Sequence, residues 1–176
     1  MTEVRRVQAV SEMVPLSASE TRIEVRPRLS EGHAVFRVET ARAPQFIDVT
    51  QVVTDLLSVS GLQNGIVVVT SQHTTASIKV NENEPELLRD MEEFLCAIAP
   101  RDKYYRHNDF SVRTINMEED ECPNAHSHCQ HLLLSASESI PVLSGRLHLG
   151  KWQRIFLIEL DRPRQRDVVV SFLRTG

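Results

Sequence analysis

His126 and His128 stand two residues apart, a spacing that puts both imidazoles on one face if the segment is a strand. Two imidazoles on one face can share a metal ion. The third ligand must then come from elsewhere, and His73 and His107 are the available candidates on site-like segments. Three protein ligands with an open fourth position would suit a catalytic divalent metal, zinc first and magnesium as the alternative. Read without a metal, one of the two histidines is simply exposed. Other polar groups cluster where apolar runs end: Ser71-Gln72-His73-Thr74-Thr75, then Asn81-Glu82-Asn83, Asn124-Ala125, and Gly150-Lys151-Trp152-Gln153. Polar groups at such places incur a desolvation cost unless something bonds them, which points to a pocket. Asn81 and Glu82 precede a helix and follow His73 closely, so they are candidates for substrate hydrogen bonding and acid–base work. Glu84 and Glu86 read instead as acidic residues near the positive end of a helix.

Several chemistries are missing. There is no GxSxG, no Walker loop, no GxGxxG and no cysteine set beside a base. Cys122, Cys129 and the histidines between them match no structural zinc spacing, and Cys129 reads as a small core residue. Arg146 and Arg164 could reach a pocket, though each alone reads as a surface charge, and the arginines near the C-terminal end (Arg162, Arg164, Arg166, Arg174) read as a solvated face.

The elements that must position these residues follow from pattern. Residues 1–30 mix charges with Ser and Pro and read as a mobile extension with an edge strand near 21–25; residues 31–176 form a single domain. Phe36 and Val38 alternate as in a half-buried strand. Asp48 and Gln51 suggest a capping box for a helix through Val49, Val52, Val53, Leu56 and Leu57, which Gly61 stops. Ile66-Val67-Val68-Val69 reads as a central strand buried on both faces. A second helix begins at Pro85, with Leu87, Leu88, Met91, Phe94, Leu95 and Ile98 as its buried stripe. Residues 104–120 read as a long loop serving a site, and 127–134 as a strand. Residues 152–160 and 167–173 read as the two strands of a hairpin. The fold class is α+β, a mostly antiparallel β-sandwich with two main helices.

Bulk properties narrow the function. With 20 basic and 24 acidic side chains the formal charge is −4, so no nucleic-acid partner is expected. No apolar run approaches the roughly 18 residues a membrane span needs. Three cysteines without a CxxC, and an N-terminus without the order of a secretory signal, lead to the expectation of a soluble cytoplasmic protein.

Together these stretches resemble the YjbQ-like family, described as secondary thiamine-phosphate synthases. The resemblance runs from about Phe36 to Val170 and rests on His73-Thr74-Thr75-Ala76, Asn81-Glu82-Asn83, Asn124-Ala125 with Ser127-His128, and Gly145 through Gln153, continued by Asp161, Pro163, Arg164 and Arg166. It implies a homotrimer of β-sandwich subunits. The pocket would lie at or near subunit interfaces, lined by His73, Asn81, Glu82, His107, Asn124, His128 and Gln153. It also implies a metal on His73, His107 and His128, with Glu82 as acid–base group and Asn124 and Gln153 orienting a small, phosphorylated or unphosphorylated substrate. The implied transferase reaction joins a pyrimidine diphosphate to a thiazole phosphate, as a side activity in members that have it. The alternative is a trimer that binds a small metabolite without turning it over. The chain departs from the family pattern at Cys122-Pro123, where Asp-Gly is common, at Gln130, where a cation is common, and at Arg162, where Gly is common. His33 and His131 read as structural, His148 as facing the core or an interface, and Trp152 as a packing residue.

Overall fold

The structure, a computed structural model, describes residues 22–30 and 32–175. Residues 1–21 of the expected extension lie outside the described residues, whereas the expected edge strand is present as β1 (Arg22–Ser30). Strands β2 (His33–Glu39), β4 (Gly65–Ser71), β6 (Ser137–Leu143), β7 (Arg146–Leu147) and β9 (Gln165–Arg174) join it in a six-stranded antiparallel sheet of order β1-β2-β9-β4-β6-β7. Strands β3 (Gln45–Asp48), β8 (Gln153–Glu159) and β5 (Ala76–Glu82) make a three-stranded antiparallel sheet of order β3-β8-β5. Three helices complete the fold: α1 (Thr50–Ser60), α2 (Pro85–Ile98) and α3 (Ala125–Leu133). No helix among the described residues is long and apolar enough to cross a membrane.

The main core lies between the sheets. Phe36, Val38, Val67, Val69, Val168 and Val170 of the larger sheet meet Ile78, Ile155 and Leu157 of the smaller one, with Val53, Leu56 and Leu57 of α1. Burying each of these side chains contributes roughly 1.5–3 kcal/mol. A second, smaller cluster of Phe156, Ile158, Leu160 and Leu95 lies on the opposite side of β8. Strand β8 therefore sends alternate side chains into two cores and is buried on both faces. The sequence expectation gave that role to 66–69, but β4, although flanked by β9 and β6, alternates fully buried with half-buried positions.

Helix α1 has its expected apolar face and ends on Gly61 at φ 69°, a left-handed conformation that glycine adopts without Cβ strain. The expected capping box is absent: Asp48 Oδ1 accepts from the Thr50 amide at 2.9 Å, but Gln51 bonds to Asp55 instead of reaching back. At the start of β4, a Cβ on Gly65 would lie 2.1 Å from the Leu173 carbonyl oxygen, so the close approach to β9 requires glycine. Helix α2 is capped by Glu84, whose carboxylate accepts from the amides of Glu86 and Leu87 at 3.1 and 2.7 Å. Of its expected buried stripe only Leu95 is fully buried; Phe94 is 61% and Ile98 49% exposed.

Two further expectations are corrected. Strands β8 and β9 form no hairpin, because they belong to different sheets and the 160–164 turn carries the chain across the sandwich between them. Residues 125–133 are helical, not extended. Burial there falls on Ala125, His126, Ser127 and Gln130, a helical spacing that the alternating histidines disguise.

Candidate functional site

The crossing turn organises the site. Glu159 is fully buried and Arg166 is 2% exposed. Arg166 Nε donates to Glu159 Oε2 at 2.6 Å, and the same oxygen accepts from Thr40 Oγ1 at 3.0 Å. Glu159 Oε1 accepts from Arg166 Nη2 and from the amides of Leu160 and Asp161 at 3.1 and 2.9 Å, while Arg166 also donates to Thr75 Oγ1 at 3.0 Å. Arg166 is thus an interior residue and not part of a solvated face. This saturated network fixes the backbone on which Asp161 and Arg164 stand. Asp161 is fully buried, and Arg164 Nη2 lies 3.1 Å from its Oδ2, with Cys122 Sγ 3.7 Å from the same Nη2.

His73 approaches this turn from the end of β4. Its Nε2 accepts from the Asp167 amide at 3.0 Å, so the neutral ring carries its proton on Nδ1. Burial and the neighbouring Arg166 guanidinium push its pKa down. On the other side of Asp161 lies α3. Ala125 donates its amide to Asn108 Oδ1 at 2.9 Å, which ties the helix start to the 3-10 turn at Arg106–Asn108. That turn brings His107 edge-on to His128, with ring centroids 4.9 Å apart. Burial, reinforced by His107, pushes the His128 pKa down. His107 Nε2 faces Arg113 Nη1 at 3.1 Å; a guanidinium can only donate, so His107 accepts there.

His126 is 5% exposed. Ser127 Oγ gives its one proton to the Leu160 carbonyl at 2.7 Å, so at 3.2 Å it can only accept from His126 Nε2–H. The Nδ1 lone pair of His126 is therefore bare, and it is buried without a partner. Asn124 Oδ1 and Asp161 Oδ2 are likewise buried without a hydrogen bond, although Arg164 is ion-paired to the latter. Burial also lowers the His126 pKa, with Arg101 adding to the effect. The neighbourhood thus holds neutral imidazoles, one buried carboxylate and several acceptors short of donors.

The remaining predicted residues lie elsewhere. Asn81 and Glu82 pair with Arg154 and Gln153 at the far end of β5 and β8, whereas Ala76 and Glu159 pair at the histidine end. The two are the opposite ends of the 7-residue strand β5, roughly 20 Å apart at about 3.3 Å per residue step. There Asn81 Nδ2 contacts Met91 Sδ at 3.1 Å, and Gln153 Oε1 accepts from the Gly150 amide at 2.7 Å. One chain therefore brings His107, His128 and Asn124 together, places His73 across the Asp161–Arg164 pair, and leaves Asn81, Glu82 and Gln153 at the opposite end.

The implied three-histidine metal set does not fit within one chain. A metal ligand must present a lone pair, and those of His73 and His107 already accept from an amide and a guanidinium. Among the described residues no group of three or more His, Cys, Asp or Glu side chains is placed to hold a metal ion. The shared face expected for His126 and His128 disappears with the strand, since residues two apart on a helix diverge by about 200°.

Burial bears on three other residues. Cys129 is exposed and not a core residue, His148 is exposed and so does not face the core of its own chain, and Trp152 is 61% exposed with Lys151 Nζ 4.4 Å from its ring centroid. Gln130 is 1% exposed and donates to the Leu95 carbonyl at 2.9 Å, so it joins α3 to α2. The sequence reading left the roles of Asp161, Arg113 and Glu159 unassigned. The signal of Glu159 is weak because its partner Arg166 lies in the other sheet, and Asp161 and Arg113 stand in turns and loops that carry no period to read.

This architecture, two antiparallel sheets with a histidine cluster held against a buried ion-paired turn, defines a class of small α+β proteins. The chain belongs to the YjbQ-like family: the family model described as UPF0047 protein YjbQ-like matches residues 34–175. A UPF0047 protein of Methanothermobacter thermautotrophicus is 41% identical over 134 residues, 76% of this chain and 86% of the relative. The crystal structure of a YbjQ-like protein of unknown function from Sulfolobus solfataricus P2 superposes with a TM-score of 0.73 at 31% identity, covering 88% of this chain and all of that one. A hypothetical protein from Aeropyrum pernix K1 gives 0.72 at 39% identity, covering 81% and 98%.

Proposed function

We propose that the chain is a small-molecule transferase resembling secondary thiamine-phosphate synthases, acting in the cytoplasm as a homotrimer whose site is shared between copies. The reaction joins a pyrimidine diphosphate to a thiazole phosphate and releases pyrophosphate. The observation behind this reading is the convergence of His107, His128, Asn124 and Asp161 beside Arg113 and Arg164. Neutral imidazoles can exchange protons near pH 7, and fixed arginines stabilise negative charge developing on a leaving diphosphate. The neighbouring loop exposes Phe110, Val112, Ile115 and Met117, an apolar rim suited to burial against another subunit. A second copy that seated its Asn81–Glu82–Gln153 end there would supply the missing acid–base carboxylate, Glu82. No step is assigned to a metal, because the lone pairs of His73 and His107 are already engaged within the chain.

The test is product formation from the two phosphorylated substrates, with thiamine phosphate and pyrophosphate measured together. His128→Ala is expected to lower turnover at least 100-fold. Mixing His128→Ala with Gln153→Ala subunits should restore up to about a quarter of the sites if neighbours share them. No restoration would overturn the shared site. The separation of Glu82 from the histidines within one chain favours a second reading, a trimer that binds a metabolite without turnover. Thermal stabilisation by either substrate with no product in any mixture would establish that reading instead.

A further inference from the structure

Next to His107 lies an open depression of about 430 Å³ lined by Arg106, His107, Val112, Arg113, Ile115 and Asn116. That volume falls within the roughly 300–1,000 Å³ typical of small-ligand sites. We propose that this depression is an anion subsite that takes a phosphoryl or diphosphoryl group, with Arg106 as its principal cation. Arg113 is neutralised by Glu121 and donates to the Asn116 carbonyl oxygen. It also faces His107 Nε2, which leaves the His107 proton on Nδ1. The other nearby carboxylate, Asp109, is occupied by Tyr104 and by the amide and hydroxyl of Ser111. Arg106 is exposed and has no carboxylate partner among the described residues. The lining of the depression therefore holds one guanidinium without a carboxylate partner, Arg106, while the charged Asp109 stands outside that lining. A guanidinium fork matches phosphoryl oxygens in geometry as well as charge, and the flanking Val112 and Ile115 thin the competing water.

His107 also lies edge-on to His128, so an anion held here would sit beside the imidazole proposed to act in the reaction. The subsite deepens that reading and rests on it only for the source of the phosphoryl group. A phosphorylated substrate and released pyrophosphate share this chemistry.

The test is a titration of the full chain with inorganic pyrophosphate, followed by NMR of the arginine Nε–H and histidine ring signals. Saturable shifts at Arg106 and His107 are expected. R106Q should weaken binding about tenfold. R89Q, which alters an arginine bonded to Glu86 on α2, should leave it unchanged. Absence of saturation, or equal weakening by both substitutions, would mark diffuse charge attraction and overturn the subsite. Turnover separates the two ideas. Arg106-dependent pyrophosphate binding without any thiamine phosphate formed would keep the subsite and remove the reaction. Product formation with an unchanged KM for both phosphorylated substrates in R106Q would keep the reaction and remove the subsite.

Discussion

Two buried polar regions meet at the 160–164 turn, and they are built on opposite principles. In the Glu159–Arg166 junction both carboxylate oxygens are bonded, and the guanidinium is matched by Glu159 and Thr75. A few residues away, His126 Nδ1, Asn124 Oδ1 and Asp161 Oδ2 are buried and short of donors. A saturated network holds a backbone in place; an unsaturated one retains a cost that a bound group can relieve. The difference separates residues that hold the backbone from residues left with unmet hydrogen-bonding capacity.

Four substitutions or conditions would break or sharpen that contrast. The largest effect should come from Glu159→Ala, which strands the Arg166 guanidinium in the interior: about 3–5 kcal/mol lost in denaturant unfolding, or failure to fold. A loss below about 1 kcal/mol would show that the junction is not the anchor described. His128→Ala should do the reverse, with turnover down at least 100-fold and unfolding free energy changed by less than about 1 kcal/mol. Acid comes next. Burial lowers the folded-state pKa of His73, His126, His128 and His131. The unfolded chain then takes up protons first as pH falls through about 6.5, so this contribution is fully present above that value and is lost below it. Tm should be flat between about pH 7 and 8 and fall below about 6.5, less steeply in His126→Asn. A pH-independent Tm down to about 5.5 would contradict the assignment of neutral buried imidazoles. The smallest effect is expected from Phe94→Ala on the exposed side of α2, within about 0.5 kcal/mol for an isolated chain. A larger loss that grows with protein concentration would show that another subunit covers this face.

Most of the fold was readable in the sequence, and so were His73, His107, Asn124 and His128 of the candidate site. The alternation around Phe36, the helical spacing from Val49 to Leu57 and the stop at Gly61 all correspond to observed elements. The 125–133 helix was hidden because its short sequence gives histidines at alternate positions and only four buried residues from which to read a period. Tertiary arrangement hid the rest. Burial of Arg166 depends on Glu159 in the other sheet, and the remoteness of Gln153 from His128 depends on which end of β8 each lies against, a matter of register that local pattern does not encode. The β8–β9 turn misled for the same reason: a short link between two apolar runs reads as a hairpin whether or not the runs pair.

The crossing turn has a consequence for how the protein should fail. Its amides are held by Glu159, its Leu160 carbonyl holds Ser127 of α3, and its Asp161 faces the imidazoles. Seam and candidate site are thus one stretch of chain. Heat inactivation should accompany separation of the two sheets, with no long-lived species that is inactive yet still structured.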